Sequence, residues 1–372
     1  MDKEYDIILY GASSYTAGYI IPYLENYDLK IGLASRNISN LESSNLPKIQ
    51  CELTEAPSQT NILINCAGPY HLIGEEIIKS CIRNKTHYID LCGEVHFIKY
   101  IYNKYHNEAL KEGLFIIQAC GFDSLIADLG NEIIKNKFDK DVEVRSVLEL
   151  ENPILNFGTW ESLINSISRY TKNTIISEVR GNVKCPSYYY DENIKSYVVK
   201  FRGSDHFVVT STQKLLRECN IKTCKYEAYL KTGNIFLYFL YFALISLMCK
   251  FNFGKNLLLR FYKFFSYNLV EKSPSREIVK RGSFTLSFEG VGMKNLDYKT
   301  KHLVISGPDV YTTTGICISQ ASLVLHEMIK SRQDGKNISN LPGGVVTPGF
   351  VFRETNLKEK LRNLGIIFNI KE

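Results

Sequence analysis

The sequence predicts an α/β protein: a doubly wound parallel sheet, then a second α+β domain with a mainly antiparallel sheet. Up to about residue 137, short apolar runs alternate with amphipathic stretches, the pattern of a parallel sheet with helices on both faces. Beyond that point, alternation of apolar and polar residues indicates antiparallel strands. At 372 residues, the chain is long enough for two domains with separate cores.

The predicted strands of the first domain, residues 1–137, are short continuous apolar runs such as NILINC. Such runs suit strands that are buried on both faces. The predicted strands are residues 5–10, 30–34, 61–66, 87–91 and 114–119. Helices are predicted at residues 17–26, 74–84 and 96–112.

The second predicted domain, residues 138–310, is expected to serve substrate binding or dimerisation. Its predicted strands are VEVRSVLEL, SYVVKF, HFVVTST, KYEAYLK and SFTLSFEG, and TWESLINSISRYT has helical spacing. In the tail, residues 311–372, we predict helices at 312–331 and near 357–364, separated by the loop DGKNISNLPGG. The tail is expected to pack back on the first domain.

Composition excludes several functions. The 45 basic and 39 acidic residues give a net charge of +6, and no basic run suits a phosphate backbone, so we predict no nucleic-acid partner. The closest cysteine pair, Cys219 and Cys224, has no second pair, so we predict no metal site. The opening MDKEYD is not a signal peptide. Ten scattered cysteines fit free thiols in the cytoplasm.

One segment, residues 235–267, begins with the uncharged run IFLYFLYFALISLMC. About fifteen apolar residues fall short of the roughly twenty that a spanning helix needs. Two interpretations remain open. The segment is either a buried core helix or a hairpin resting on a membrane or lipid-droplet surface. In the second case, basic side chains would reach the head groups: Lys250, Lys255, Arg260 and Lys263.

In doubly wound sheets, ligands bind beyond the carboxyl ends of the strands. The first run ends at Gly11, which permits a tight turn into a helix whose N–H groups can receive a pyrophosphate. Ser14 and Ala17 stand where such a loop usually has glycine, and Ser14 would either crowd the ligand or bond to it. A turn without a ligand is the alternative. The predicted cofactor-binding residues here are Gly11, Ala12, Ser13, Ser14, Tyr15 and Thr16.

The next strand ends indicate which dinucleotide is bound. The second run closes on Ser35 and Arg36 without an acidic residue. An arginine there suits the 2′-phosphate of NADP (NADPH), whereas NAD calls for an acid. A solvated surface arginine is the alternative. Small residues after the third and fourth runs let a nucleotide lie close to the backbone. They are Cys66, Ala67, Gly68, Pro69 and Gly93.

Residues with acid–base chemistry follow the same strand ends. Tyr70 is the hypothetical proton donor, because its phenol comes directly after the nucleotide turn. A ring that stacks on the nicotinamide or packs beneath it is the alternative. His71, Glu94 and Asp123 are the other candidates from these strand ends, although Asp123 or Ser124 could instead cap the next helix.

Three stretches, GASSYTAGYIIPYL, NCAGPYHLIGEEIIKSCIRNKTHYIDLCGE and ACGFDSLIADLG, resemble the saccharopine dehydrogenase-like oxidoreductases. That family includes trans-acting enoyl reductases. The resemblance is nearly continuous over residues 65–130, extends to the tail GGVVTPGFVF, and is only general over residues 140–300. The family loop reads Gly-Ala-Ser-Gly-Phe-Thr-Gly, from which Ser14 and Ala17 depart. The tail stretch GPDVYTTTG also departs from the family's Asp-Pro-Gly-Tyr order.

The resemblance implies an NADP-binding Rossmann-type domain and a reductase that acts on an acyl or lipid-type small molecule. It also implies a lipid-droplet or membrane surface as a partner of residues 235–267. A homodimer is left open, as is the choice between the cytoplasm and such a surface. The alternative is a non-catalytic dinucleotide sensor or lipid-surface scaffold. Ser14 and Ala17 favour the alternative, whereas Arg36 favours the enzyme.

Overall fold

The computed structural model describes residues 3–41, 43–169, 185–201, 203–334 and 341–371. The chain divides into two compact units. The first comprises residues 1–93, 97–129 and 311–365, and the second comprises residues 94–96, 130–310 and 366–372. Both units are therefore assembled from segments that are distant in the sequence.

The secondary structure alternates strands and helices along most of the chain. The strands are β1 (Tyr5–Tyr10), β2 (Ile31–Ser35), β3 (Lys48–Gln50), β4 (Thr60–Asn65), β5 (His87–Asp90), β6 (Phe115–Ile117), β7 (Lys140–Glu151), β8 (Leu155–Asn156), β9 (Tyr188–Asp191), β10 (Ser196–Lys200), β11 (Cys224–Thr232), β12 (Val270–Glu271), β13 (Ser283–Lys294), β14 (Asp297–Pro308), β15 (Gly344–Val346) and β16 (Ile367–Lys371). The α-helices are α1 (Ala17–Leu24), α2 (Ala56–Gln59), α3 (Tyr70–Arg83), α4 (Val95–Lys111), α5 (Phe122–Lys135), α6 (Phe157–Arg169), α7 (Ser204–Glu218), α8 (Ile235–Cys249), α9 (Asn252–Arg260), α10 (Tyr262–Phe265), α11 (Arg276–Val279), α12 (Val310–Gln333), α13 (Pro348–Phe352) and α14 (Leu357–Asn363).

The first unit contains a seven-stranded sheet in the order β15-β6-β5-β4-β1-β2-β3. Its strand pairs are parallel, and Ile7 in β1 lies between Ile31 of β2 and Ile62 of β4. The chain moves outward from β1 to β3, then returns to the other side of β1 at β4. This reversal confirms the predicted Rossmann-type, doubly wound sheet.

The second sheet has the order β16-β14-β13-β7-β11-β10-β9. All of these pairs are antiparallel except β7 with β11, where Cys224 lies beside Val142. The prediction of a mainly antiparallel second sheet is confirmed, but the parallel pair was not anticipated. Alternation within one strand does not reveal the direction of its neighbour.

One predicted strand, HFVVTST, is wrong, because these residues lie within helix α7. The β-branched residues favour a strand locally. Over the full length of α7, however, the buried positions follow helical spacing: Asp205, Phe207, Val208, Val209, Thr212, Gln213, Leu215 and Leu216.

The tail differs from its prediction in two places. Strand β15, which begins at the second of two glycines that indicated only a loop, pairs with β6, and β16 pairs with β14 in the second sheet. The predicted helix 312–331 is part of α12, and part of the predicted loop, residues 335–340, lies outside the described residues. Within the first unit, a Cβ on Gly315 of α12 would lie 2.1 Å from the Tyr19 carbonyl oxygen. Glycine thus permits α12 to cross α1 in backbone contact.

Candidate functional site

The candidate site lies at the carboxyl ends of β1 and β4, where the strand order reverses. Gly11 has a φ of +76°, and a Cβ there would lie 2.6 Å from the Ala67 backbone nitrogen. The turn after β4 is also tied to β1, because the Cys66 N–H donates to the Tyr10 carbonyl at 2.9 Å. The structure thus brings two predicted cofactor-binding turns into backbone contact, at the position where such sheets bind ligands.

The turn after β1 satisfies several of its own N–H groups. Gly11 and Ala12 donate to the Ala34 carbonyl at 3.0 and 3.1 Å, while the Ser14 hydroxyl accepts the Ala17 N–H at 3.3 Å. Among the described residues, the Ser13 and Thr16 N–H groups have no hydrogen-bond partner. The Ser14 hydroxyl therefore occupies the Ala17 N–H at the start of α1. The N–H groups of Ser13 and Thr16 stay available to a ligand.

The end of β2 carries two of the predicted residues in different roles. The Ser35 side chain is buried and its hydroxyl lies 3.0 Å from the Ser13 hydroxyl, so Ser35 joins β2 to the glycine turn. Arg36 is exposed. Within the part of the chain that the structure describes, its guanidinium forms neither a hydrogen bond nor an ion pair. Arg36 is therefore an exposed cation next to Ser35, whose hydroxyl meets the glycine turn.

Tyr15 belongs to an aromatic cluster that the sequence did not predict. Its hydroxyl lies 2.9 Å from that of Tyr19, and its ring meets the Tyr311 ring edge-on at 5.1 Å between centroids. Tyr311 comes from the first turn of α12, so the tail contributes to the surroundings of the turn. The only sequence signal was the departure of GPDVYTTTG from the family order.

A buried chain of hydrogen bonds links the ends of β4 and β5. The Asn65 amide nitrogen donates to the Tyr88 hydroxyl at 3.0 Å, and that hydroxyl donates to Asp90 Oδ2 at 2.9 Å. The Asn65 amide oxygen accepts the Ala67 N–H at 3.0 Å. We call this Asn65–Tyr88–Asp90 group the strand-end chain. Sequence analysis did not place Asn65 or Tyr88 at the site, although both are polar residues within apolar runs.

Asp90 is fully buried, and its Oδ1 accepts the N–H groups of Cys92 and Ala119, each at 2.9 Å. Burial raises the pKa of the carboxyl to about 6, although these two N–H donors and Tyr88 lower it. The buried Gln118 side chain, which is 2% exposed, lies near enough to lower the same pKa as well. A carboxyl with a pKa near neutrality thus fastens three strand ends together.

Tyr70 is the first residue of α3, and its hydroxyl donates to the Asn65 carbonyl at 3.1 Å. Burial raises its pKa well above the usual range, so the phenol is protonated at neutral pH. Gly68, Pro69 and Gly93 lie at the surface or partly buried in the turns that follow β4 and β5. Burial also raises the pKa of the Cys66 thiol.

Two other catalytic candidates, Asp123 and Glu94, come from the segments that follow β6 and β5. Asp123 lies in the first turn of α5, which begins at Phe122, so neither Asp123 nor Ser124 precedes the helix as a cap. The Phe122 N–H instead donates to the Thr314 hydroxyl at 3.2 Å. Glu94 groups with the second unit, where its buried carboxylate lies 3.8 Å from His96 Nε2.

Two of the motifs that carry the family resemblance meet inside the first unit. Asp128, from ACGFDSLIADLG, is fully buried and its Oδ2 accepts the Gly349 N–H at 2.7 Å. Gly349 comes from GGVVTPGFVF, and a Cβ there would lie 2.4 Å from the Asp128 carboxyl carbon. The glycine of the tail motif thus makes room for the aspartate of the other.

In the second unit, helices α8, α9 and α10 form what we call the apolar hairpin. Phe236, Phe253 and Phe264, one from each helix, are 72%, 78% and 78% exposed. In α8 only Ile245 and Cys249 are buried, in a cluster with Trp160 of α6 and its neighbours. The buried-core interpretation therefore accounts for one narrow face of α8 and not for the rest.

The helices of the apolar hairpin are short relative to the thickness of a membrane. In the described residues, none of the helices has by itself the length and apolar composition to cross a membrane; α8 and α9 reach them only jointly, with a bend of 120° between them. No acidic residue occurs from Ile235 to Val270, whereas four basic residues do.

The parallel sheet with a glycine turn at its switch point places the chain in the doubly wound, dinucleotide-binding class of folds. No protein-family model matches the chain. It is 32% identical to the Bos taurus saccharopine dehydrogenase-like oxidoreductase, over 88% of this chain and 83% of the relative. The chain belongs to the saccharopine dehydrogenase-like oxidoreductase family, which confirms the resemblance.

Other similarities agree with this assignment. The lipid droplet localized protein of Caenorhabditis elegans is 28% identical over 99% of both chains. The trans-acting enoyl reductase of Mycobacterium ulcerans is 29% identical over 144 residues, 34% of each chain. Apo saccharopine dehydrogenase (L-Glu forming) of Saccharomyces cerevisiae has a TM-score of 0.55 at 11% identity, covering 99% of this chain and all of that one. The last similarity concerns the fold alone.

Proposed function

We propose that this oxidoreductase is an NADP-dependent reductase of an acyl or lipid-type substrate. The observation that carries the cofactor assignment is the switch-point crevice with an exposed arginine beside it. Gly11 lets the two turns meet, and Ser13 and Thr16 keep N–H donors available for a pyrophosphate. Arg36 supplies a cation suited to a 2′-phosphate. These residues fit the dinucleotide, with Ser14 as the one departure.

NADPH, when bound, supplies a hydride to the acceptor carbon. An enoyl acceptor also needs a proton at the neighbouring carbon. Tyr70 is our candidate donor, because its phenol carries a proton and its hydroxyl lies at the turn after β4. Its hydrogen bond to the Asn65 carbonyl fixes the position of the phenol. Asp123 and Glu94 are further candidates. Tyr70→Phe should abolish turnover and leave NADPH binding intact; full turnover would remove Tyr70 from this role.

The substrate class rests on two supports. One is the relative whose name is trans-acting enoyl reductase, which covers only a third of this chain. The other is the apolar hairpin, whose exposed phenylalanines suit contact with a lipid layer. Its four basic residues, without acidic neighbours, suit anionic head groups. We therefore propose that the protein meets its substrate at a membrane or lipid-droplet surface.

The deciding experiment is a titration of the purified protein with NADPH and with NADH, followed by nicotinamide fluorescence. Micromolar NADPH binding is expected, with NADH clearly weaker. Arg36→Ala should weaken NADPH binding by about tenfold or more and leave NADH nearly unchanged. Arg83→Ala, which removes another exposed arginine of the first unit, is the matched control and should change neither. Equal loss of both dinucleotides in Arg36→Ala would contradict the 2′-phosphate contact.

A non-catalytic dinucleotide sensor or lipid-surface scaffold is the alternative. Ser14 favours it, because its hydroxyl occupies a helix N–H that a phosphate would otherwise use. NADPH binding without turnover of any acyl substrate would indicate the sensor. Binding of neither dinucleotide would indicate the scaffold.

A further inference from the structure

The hydrogen bonds of the strand-end chain run in one donor-to-acceptor direction, which Asp90 sets. A carboxylate accepts hydrogen bonds and donates none. Asp90 Oδ2 therefore requires the Tyr88 hydroxyl to donate to it, which leaves that oxygen to accept from the Asn65 amide nitrogen. The Asn65 amide is thereby turned so that its oxygen faces the Ala67 N–H. Each step determines the next, because every group has only the donors and acceptors its chemistry allows.

The end of the chain lies at the proposed nucleotide crevice. Ala67 is the residue whose backbone nitrogen would lie 2.6 Å from a Cβ on Gly11. The Asn65 carbonyl also accepts the Tyr70 hydroxyl at 3.1 Å. Asp90 itself is fully buried. A change of charge at Asp90 would therefore reach the turn that faces Gly11 without any contact between Asp90 and a ligand.

We propose that Asp90 is a positioning residue of the nucleotide site: its carboxylate fixes the direction of the strand-end chain and so holds the turn after β4 in its binding conformation. The consequence for cofactor affinity rests on the proposed function; the consequence for the turn does not. A carboxamide at residue 90 can still accept the Cys92 and Ala119 N–H groups. Its NH2 group, however, would meet the Tyr88 hydroxyl donor to donor.

Whichever way the groups then rotate, one hydrogen bond of the chain is lost. If the Tyr88 hydroxyl turns to donate to Asn65, the Asn65 amide must present its oxygen to Tyr88. Its NH2 group would then face the Ala67 N–H, which leaves that N–H without its acceptor. A buried donor without an acceptor is costly, so the turn is expected to open more often.

Asp90 also makes the chain responsive to pH. Burial raises its pKa to about 6, so it gains a proton between pH 7 and 5. A protonated Asp90 can donate to Tyr88 and reverse the chain. The titratable groups that face it are Tyr88, Tyr70, Cys66, Cys92 and Cys120. The pKa values of Tyr88, Tyr70, Cys66 and Cys120 are raised by burial, so none of these four titrates in that range.

The test is hydrogen exchange of the Ala67 amide in the full chain, alongside the NADPH titration. In Asp90→Asn, protection of Ala67 is expected to fall about tenfold, with a similar loss of NADPH affinity. In the wild type, protection corrected for intrinsic exchange should fall between pH 7 and 5, whereas in Asp90→Asn it should stay constant. A merely structural aspartate would not transfer its pH dependence to Ala67.

Two further variants keep the test decisive. Tyr88→Phe breaks the chain in the middle and should lower Ala67 protection as well. Tyr105→Phe removes a hydroxyl that donates to the Glu75 carboxylate at 2.6 Å elsewhere in the first unit, and should not affect Ala67. Unchanged Ala67 protection in Asp90→Asn, or pH-independent protection in the wild type, overturns the proposal. If Asp90→Asn does not fold, the wild-type pH series still decides. If the wild type binds no dinucleotide, the proposed function fails, and the exchange data still judge the chain.

Discussion

The crevice of the first unit and the apolar hairpin of the second both depart from the usual distribution of polar and apolar side chains. The crevice buries polar groups, whereas the hairpin exposes apolar ones. At the crevice, polar groups such as Asn65 and Asp90 are fully buried and hydrogen-bonded. At the hairpin, large apolar side chains such as Phe253 are exposed. Buried polar groups must be satisfied to be tolerated, whereas large exposed apolar surfaces mark a partner. The first region thus holds polar groups in fixed positions, whereas the second presents apolar surface to its surroundings.

The largest effect is expected at the hairpin. Replacing Phe236, Phe253 and Phe264 together by aspartate should reduce binding to anionic lipid vesicles more than 100-fold, because each phenylalanine is worth about 1.5–3 kcal/mol on burial. Thermal stability should change little, since the three side chains are exposed. Vesicle flotation measures the binding. Leu296→Asp with Tyr298→Asp, at exposed positions outside the hairpin, is the matched control; equal losses in both would show that the hairpin has no special role.

At the crevice, the largest effect is expected from Gly11→Ala. The left-handed backbone at Gly11 costs an alanine about 1–2 kcal/mol, and the overlap with Ala67 adds about 1–3 kcal/mol. NADPH binding should be lost with it. Gly113→Ala is the control, because Gly113 has a φ of +66° but no atom within 4 Å of the added Cβ. Urea unfolding measures the free energy of unfolding of both variants. Similar losses of stability in the two would contradict the close approach of Gly11 to Ala67.

A third prediction concerns the two ends of β5. Burial lowers the pKa of His87 to about 3, so the unfolded chain takes up this proton first as the pH falls. The contribution of neutral His87 to the free energy of unfolding is therefore complete above pH 6.5 and is lost below it. Burial raises the pKa of Asp90 to about 6. The buried carboxylate therefore lowers the free energy of unfolding by its full amount above that pH, and this loss is relieved as the pH falls towards 4. From pH 6 to 4 the two effects oppose each other, each by up to about 1.4 kcal/mol per pH unit.

Single variants should separate the two effects. Relative to the wild type, His87→Asn should gain free energy of unfolding as the pH falls from 6 to 4, and Asp90→Asn should lose it. Urea unfolding at half-unit intervals of pH measures the slopes. Parallel curves for wild type and both variants would refute the assignment.

The smallest effect is expected at Ser14. Ser14→Gly removes the hydroxyl that accepts the Ala17 N–H, which should cost only a few tenths of a kcal/mol of stability and tighten NADPH binding a few-fold. Ser14→Ala removes the hydroxyl but keeps the Cβ, so a comparison of the two separates crowding from capping. Weaker NADPH binding in both would show instead that the hydroxyl holds the ligand.

Sequence reasoning predicted the doubly wound sheet because its buried strands are short apolar runs that need no distant information. It was wrong about HFVVTST, where β-branched residues outweighed a helical pattern visible only over a longer window. It also missed β15 and the parallel pairing of β11, since pairing partners are set by tertiary contacts. At the candidate site, Gly11 and Arg36 were predicted from spacing, and both stay predictions. The role of Asn65 was not, because it depends on the neighbouring strand.

The division of the first unit in the sequence has a consequence for synthesis. Its sheet needs β15, and its α1 is covered by α12, yet both come from residues 311–365. The second sheet similarly gains β16 from residues 366–372. As the chain leaves the ribosome, neither unit can be completed until residues from 311 onward have emerged. A late stop codon would therefore leave two unfinished domains, and a nascent chain would expose the apolar hairpin long before either is closed.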